Sequence, residues 1–337
     1  MSAPLLSIVI IGRNEGTRLE RCLQSVFRID DVGGPVEVLY VDSNSTDGSP
    51  DRARAMGVGV FEVKPTHPTA AFGRNAGWRG ATGMFVLFLD GDTILEADFP
   101  RKALRAIQTD SKIAVVFGTR REMNPNDTVY NRILDLDWIS RPGLADYCGG
   151  DALMRRSVLE AVNGYDEGLI AGEEPEMCRR MREVGWKILH IDALMTLHDL
   201  AMTGWSQYWR RATRTGYAYA QVSARFRNTN DPFWEHERKH NRQRGAFWCL
   251  MPPAAVALSV ILWSVWPAIA ALGLLVLLSL RSAWNFRWKS NDWLTLILYG
   301  FHSHIQHIPI LIGQRQYDRD VRNGVRRGLI EYKEAAR

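Results

Sequence analysis

Between Ala246 and Leu280 the chain runs 35 residues without a charged side chain, and the roughly 245 residues before it are patterned like a water-soluble domain. That contrast limits the fold. A chain of 337 residues has room for one large α/β domain and a smaller appendage, and an apolar run this long places the appendage in or on lipid. One upright span needs about 20 residues, so the run fits either a tight hairpin or one tilted span. Arg238, Lys239, Arg242 and Arg244 precede it. Arg281, Arg287 and Lys289 follow, with Arg315, Arg319, Arg322, Arg326 and Arg327 further on. Basic flanks prefer the same side of a membrane, which favours a hairpin with arms near 253–262 and 267–280 that either spans or re-enters. The next segment, 293–313, is apolar but interrupted by His302, His304, Gln306, His307 and Pro309, a pattern suited to interfacial or re-entrant helices whose histidines lie at headgroup level. The expected organisation is a soluble domain over 1–225, a basic juxtamembrane linker over 226–245, a transmembrane or re-entrant hairpin over 246–281, and interfacial amphipathic helices with a basic tail over 282–337.

The formal charge of +5 and pI near 9.1 raise the question of nucleic acid. The basic residues instead gather beside apolar segments, which points to anionic membrane lipid and to the cytoplasmic face of a membrane, with no nucleic-acid partner. Four scattered cysteines, Cys22, Cys148, Cys178 and Cys249, have neither metal-like spacing nor the density of a disulfide scaffold. No signal peptide is expected, because no basic region followed by a cleavable apolar segment opens the sequence.

In the soluble part, Leu6–Ile11 is a short, nearly continuous apolar run, as a strand buried on both faces requires. Helical periodicity follows over Thr17–Phe27. Further strands are expected at Val36–Val41, Val58–Val63 and Met84–Leu89, alternating with helices at the spacing of an open α/β sheet. Ligands bind beyond the carboxyl ends of such strands, and Asp42, Asp90 and Asp92 all fall there. No G-x-G-x-x-G follows the first strand and no Walker A lysine motif exists, so the sheet lacks the dinucleotide and P-loop signatures. Asp90-Gly-Asp92 sets two carboxylates on a tight turn. Such oxygens suit Mn²⁺ or Mg²⁺ with positions left open for phosphate oxygens.

Several segments carry a resemblance in order along the chain: Ser-Ile-Val-Ile-Ile-Gly-Arg-Asn-Glu15, Val-Asp42-Ser-Asn-Ser-Thr-Asp47-Gly, Arg74-Asn-Ala-Gly77, Phe-Leu-Asp90-Gly-Asp92, Gly149-Gly150, Gly164-Tyr-Asp166-Glu167, and the stretch from Gly172-Glu-Glu174 to Gly185. Over roughly 5–200 the chain resembles a family 2 glycosyltransferase of GT-A fold, with a mostly parallel mixed sheet. Its membrane part is similar to bacterial members that build exopolysaccharide or other lipid-linked glycans. The resemblance implies a metal-dependent inverting enzyme. It would move a sugar from a nucleotide-sugar, a UDP-sugar favoured, to a polyprenyl-diphosphate-linked glycan, with its soluble domain on the cytoplasmic side of a bacterial inner membrane.

The implied roles follow residue by residue. Asp42 contacts the base or ribose, with Glu15 and Asp47 nearby; Asp47 is equally a turn cap. Asp90 lies toward ribose and metal-bound water, and Asp92 ligates the metal. His198 either completes that shell or packs in the core. Arg74 reaches the phosphates or stands as a surface arginine. Where the family most often has Glu-Asp, this chain has Glu173-Glu174. That maps the base onto Glu174, with Glu173 the other candidate and helix N-terminal acids the structural explanation. Gln207-Tyr-Trp-Arg210-Arg211 resembles the Gln-x-x-Arg-Trp motif of processive members, with Arg211 in the tryptophan position; Arg210 or Arg211 remains a candidate for a diphosphate. Acceptor specificity is expected in loops such as 124–147. Two other readings stay open: an enzyme that uses a polyprenyl phosphate itself as acceptor, and a noncatalytic membrane-bound glycan or nucleotide binder.

Overall fold

The computed structural model describes residues 3–66 and 68–325; Arg326, Arg327 and the rest of the expected basic tail lie outside the described residues. The described chain divides into two compact units, one over 3–123 and 138–200, the other over 124–137 and 201–325. The division falls before 225 and gives segment 124–137 to the second unit.

In the first unit, β1 (Leu6–Gly12) leads into α1 (Thr17–Val26), β2 (Val36–Asp42), α2 (Ser49–Ala55), β3 (Gly59–Glu62), α3 (Ala70–Gly80), β4 (Phe85–Asp90), β5 (Thr93–Leu95), α4 (Phe99–Gln108) and β6 (Ile113–Glu122). The second unit contributes α5 (Val129–Asp135). The first then resumes with β7 (Gly143–Ala145), β8 (Ala152–Arg155), α6 (Arg156–Ala161), α7 (Glu173–Glu183) and β9 (Lys187–His198). The strands form one mixed sheet in the order β3-β2-β1-β4-β8-β6-β9-β5, with β7 on β9. From β3 to β4 the pairings are parallel, while β8 pairs antiparallel with both β4 and β6.

β1 is apolar along its length because both faces are covered. Leu6, Ile8 and Ile10 pack with Leu19, Leu23 and Phe99 on one side, and Val9 and Ile11 with Trp78, Met177 and Met181 on the other. Leu19, Cys22, Leu23 and Val26 recur at helical spacing and bury one stripe of α1. β1, β2 and β4 stop at Gly12, Asp42 and Asp90, with Gly12 registered to Asp42 and Ile11 to Asp90, so three chain ends open at one edge.

The second unit is helical beyond α5: α8 (Trp205–Phe226), α9 (Glu235–Ile261), α10 (Trp266–Asn285), α11 (Trp293–Ile305) and α12 (His307–Arg322). α9 begins inside the expected linker and continues unbroken into the apolar run. Ala268 N donates to Ser259 Oγ (3.1 Å) across the turn that joins α9 to α10. Both helices are long and apolar enough to cross a membrane, and Ile261, Trp263 and Trp266 are exposed around that turn.

Two sequence readings of this part change. His302, His304 and His307 do not lie on an exposed face; α8, α9 and α10 cover them: Tyr208 Oη lies 2.8 Å from His302 Nδ1, Ser282 Oγ 3.2 Å from His304 Nε2, and Arg244 Nη1 3.4 Å from His307 Nε2. Arg238 and Arg242 do not simply face lipid; they grip Asp318 of α12 at 2.8 and 2.5 Å.

α8 and α12 approach backbone to backbone through two reciprocal glycines. A Cβ on Gly216 would fall on the Ile310 carbonyl, and one on Gly313 on the Thr213 carbonyl. Neither obstacle is a flexible side chain. Gly313→Ala is therefore expected to cost about 1–3 kcal/mol and to lower the detergent-solubilised protein's Tm. Gly273→Ala on α10, where nothing lies within 4 Å of the added carbon, leaves Tm unchanged or raises it. Equal melting of the two variants would refute this packing.

Candidate active site

The loops after β1 and β2 lock together. Asn14, at φ 56°, accepts at Oδ1 from Thr46 N (2.8 Å) and donates its own N–H to Ser45 Oγ (2.8 Å). Asparagine tolerates this left-handed backbone better than most residues. Asp42 holds the second loop in shape, accepting from Tyr40 Oη (2.8 Å), Ser45 N (2.7 Å) and Ser45 Oγ (2.5 Å). Asp47 accepts from Ser49 N at 3.0 Å where α2 begins. Glu15 pairs with Arg18 at 3.0 Å. These acids thus build the rim beside the strand ends.

The centre is organised by Arg74. It projects from α3, is only 2% exposed, and is no surface arginine. Its Nη2 meets Asp90 Oδ1 at 2.8 Å, while Nη1 meets Glu174 at 2.8 Å and Glu173 at 3.1 Å. A Cβ at position 150 would strike Arg74 Nη2, so Gly150 is required where the guanidinium reaches Asp90. A second arginine that the motifs did not reveal, Arg120 at the polar end of β6, meets Asp90 Oδ2 at 3.1 Å and Asp151 Oδ2 at 2.7 Å. Asp151 also accepts from the Asp90 backbone N–H (3.0 Å) and from Thr196 Oγ1 (2.6 Å). Asp151 directly follows the Gly149-Gly150 pair, and Arg120 ends an apolar strand in Arg-Arg-Glu. Those were the available signals.

Charge sets the proton affinities here. Burial opposes the ionised form of Asp90, but Arg74 and Arg120 outweigh it and hold its carboxyl below the ordinary range. For Asp151, burial wins over Arg120 and raises the carboxyl. Burial, with neighbouring Glu173 adding to it, lifts Glu174 from 4.5 to about 7 despite Arg74. Glu173 and Glu174 occupy the first turn of α7, where the helix dipole favours negative charge.

Asp92 and His198 form a separate pair. Thr93 of β5, next to Asp92, is registered with His198 of β9, and His198 Nε2 stands 3.6 Å from Asp92 Oδ1 with both side chains buried. Trp138 meets the His198 ring edge-on at 5.0 Å. This pair offers one oxygen and one nitrogen donor, a combination compatible with Mn²⁺, whereas Asp90 is engaged by two arginines. Among the described residues no group of three or more His, Cys, Asp or Glu is set to hold a metal, so an ion here would draw further ligands from substrate and water. Arg210 and Arg211 belong to α8 in the second unit. Arg210 is exposed, and Arg211 lies 3.7 Å from Asp137.

Residues 7–162 match the family model described as glycosyl transferase family 2. Over 243 residues the chain is 24% identical to a probable glycosyltransferase, YdaM, of Bacillus subtilis (strain 168), a match covering 66% of this chain and 57% of that protein. It is also 24% identical over 233 residues to the O-antigen chain rhamnosyltransferase WbaN of Salmonella anatum, covering 59% of this chain and 74% of that one. In three dimensions it is similar to the mannosyltransferase PcManGT from Pyrobaculum calidifontis, solved with GDP-Man and Mn²⁺. The TM-score is 0.62 at 21% identity, over 89% of this chain and 86% of that one; at that identity the likeness is one of fold.

Removing Arg74 would strand buried Glu173 and partly buried Glu174 and leave Asp90 to Arg120 alone. Arg74→Met is expected to destabilise by about 3–5 kcal/mol, most at pH 8. The deficit shrinks toward pH 5: without the guanidinium the folded state gains proton affinity, so its stability falls as pH rises. Urea unfolding at both pH values measures this, and a deficit independent of pH would contradict the charge-hub role.

Proposed function

We propose, from the premise that the chain is a glycosyl transferase family 2 enzyme of GT-A fold, that it transfers one sugar from a nucleotide-sugar, a UDP-sugar favoured, to a polyprenyl-diphosphate-linked glycan, with inversion at the anomeric carbon. The observation that carries the reading is the Arg74 hub, which joins Asp90 of the Asp-Gly-Asp turn to the Glu173-Glu174 pair. Donor-side and acceptor-side groups are thereby held by one buried guanidinium.

Glu174 takes the proton from the acceptor hydroxyl as that oxygen attacks the anomeric carbon and the nucleoside diphosphate departs. Its carboxyl, pushed up to about 7, is basic enough for that task near neutral pH. Glu174 is preferred to Glu173 because the side chain of Glu173 is the more deeply buried of the two. Arg74 keeps the base oriented and moderates the charge of the cluster. Asp42, with Glu15 and Asp47 on the same rim, receives the base and ribose through hydrogen bonds to carboxylate oxygens. Mn²⁺ or Mg²⁺ held by Asp92 and His198 would offset charge on the departing diphosphate. The local charge supports such an ion: four carboxylates, Asp90, Asp151, Glu173 and Glu174, gather on Arg74 and Arg120, and a diphosphate adds further negative charge.

The apolar α9–α10 pair, with tryptophans exposed at its turn, supports attachment to a membrane. The basic flanks support a cytoplasmic face, and similarity to an O-antigen chain rhamnosyltransferase supports a lipid-linked acceptor.

The test is transfer by the purified protein with Mn²⁺ and a panel of UDP-, GDP- and dTDP-sugars, with and without membrane lipid extract. Lipid-dependent transfer from one donor is expected, lost in Asp92→Asn and reduced about 10²–10⁴-fold in Glu174→Gln. Transfer that survives Glu174→Gln points instead to a lipid phosphate acceptor, which needs no base. A second outcome concerns pH. Because the base must be ionised, kcat/KM falls as pH drops through about 7, and the residual rate of Glu174→Gln lacks that limb. A limb retained in the variant would assign the base elsewhere.

A further inference from the structure

A cavity of about 340 Å³ lies wholly within the second unit, bounded by the end of the α5 segment and by α8, α9, α11 and α12. Its size is at the lower end for small-ligand sites. Asp137, Arg211, Thr215, Asn241 and Gln306 contribute to its wall together with the rings of Tyr208 and Tyr219. Polar groups in a helical unit with an apolar exterior are costly to bury and tend to mark a ligand path. The wall is also firmly built. Tyr208, Asn241 and His302 are nearly inaccessible, and the Tyr208 hydroxyl is fixed by His302 Nδ1 at 2.8 Å.

The chemistry of the wall selects its occupant. An anion would meet the Asp137 carboxylate and a cation the Arg211 guanidinium, so neither sign of charge is favoured outright. Asp137 accepts from Tyr299 Oη at 3.1 Å and lies 3.7 Å from both Arg211 and His302. Hydroxyl groups, which donate and accept at once, suit a wall that alternates carboxylate, guanidinium and carboxamides. Tyrosine rings present apolar faces with a polar tip, matching the C–H face and hydroxyl rim of a pyranose. We propose that this cavity binds a pyranose ring, and that in the working enzyme the ring belongs to the acceptor glycan. The second clause rests on the transfer reading above; the first does not. Arg211, expected from its motif to meet a diphosphate, becomes a contact to sugar hydroxyls.

Saturation-transfer NMR on the full-length protein in detergent micelles, with the methyl pyranosides of glucose, galactose, mannose, rhamnose and N-acetylglucosamine, tests this. At least one pyranoside is expected to bind, with affinity at least tenfold weaker in Gln306→Leu and in Thr215→Val, two variants whose folding is checked by their melting curves. Asp92→Asn should leave that binding intact, since it alters the other unit. Binding of none of the pyranosides would overturn the proposal, as would binding unchanged in both folded variants. Inorganic pyrophosphate bound in place of any sugar, and lost in Arg211→Gln, would overturn it in favour of an anion site. Pyranoside binding without nucleotide-sugar turnover would instead leave the cavity assignment standing and count against the transfer reading. Turnover without pyranoside binding would do the reverse.

Discussion

A single buried guanidinium governs the first unit's chemistry. Three carboxylates converge on Arg74, from β4 and from the first turn of α7, and gathering them there without a counter-charge would be costly. The arrangement depends on backbone as much as on side chains. α3 must carry Arg74 to the strand ends, Gly150 must leave its Nη2 unobstructed, and α7 must start where two glutamates reach one nitrogen. Asp90 is held a second time by Arg120, whose other partner, Asp151, also fixes the Asp90 backbone. The Asp-Gly-Asp turn is thus clamped from both sides before any ligand arrives, which lowers the ordering cost of assembling the site.

Much of the first unit was legible in the sequence because local pattern and tertiary role agree there. Strands buried on both faces leave continuous apolar runs, and their polar ends mark the edge where ligands bind, so β1, β2 and β4 match the expected strands to within a residue at each end. β3 came out shorter than its apolar run, as a strand at the sheet edge with one neighbour. Asp90, Asp92, Glu173 and Glu174 announced themselves by motif. Arg120 and Asp151 did not, because a buried ion pair between residues 31 apart has no local signature; each lies in a segment that reads equally well as an ordinary strand or turn.

The second unit was less legible for a related reason. A hydropathy pattern separates apolar from polar but does not say what covers a polar group. His302, His304 and His307 break an apolar stretch in the same way whether they face headgroups or other helices, and here they face Tyr208, Ser282 and Arg244. Arg238 and Arg242 likewise have the composition of a lipid-facing flank, yet Asp318 claims both. Segment 124–137, where the pattern gave only an irregular loop, supplies α5 and Asp137 to this unit. Glycine carries the clearest overlooked signal, since Gly216 and Gly313 mark where α8 and α12 touch along their backbones.

The substitution of Glu-Glu for the family's usual Glu-Asp can be weighed against this geometry. Glu173 and Glu174 both address Nη1 of Arg74, at 3.1 and 2.8 Å, and so compete for one nitrogen's donors. Burial and the proximity of Glu173 together place the raised proton affinity on Glu174. That affinity has a cost: between pH 4.5 and about 7 the folded state holds a proton that the unfolded chain releases, so this group's contribution to stability declines as pH rises through that window. A longer acid at this position therefore does two things at once. It reaches the guanidinium that orients it, and it keeps a raised proton affinity.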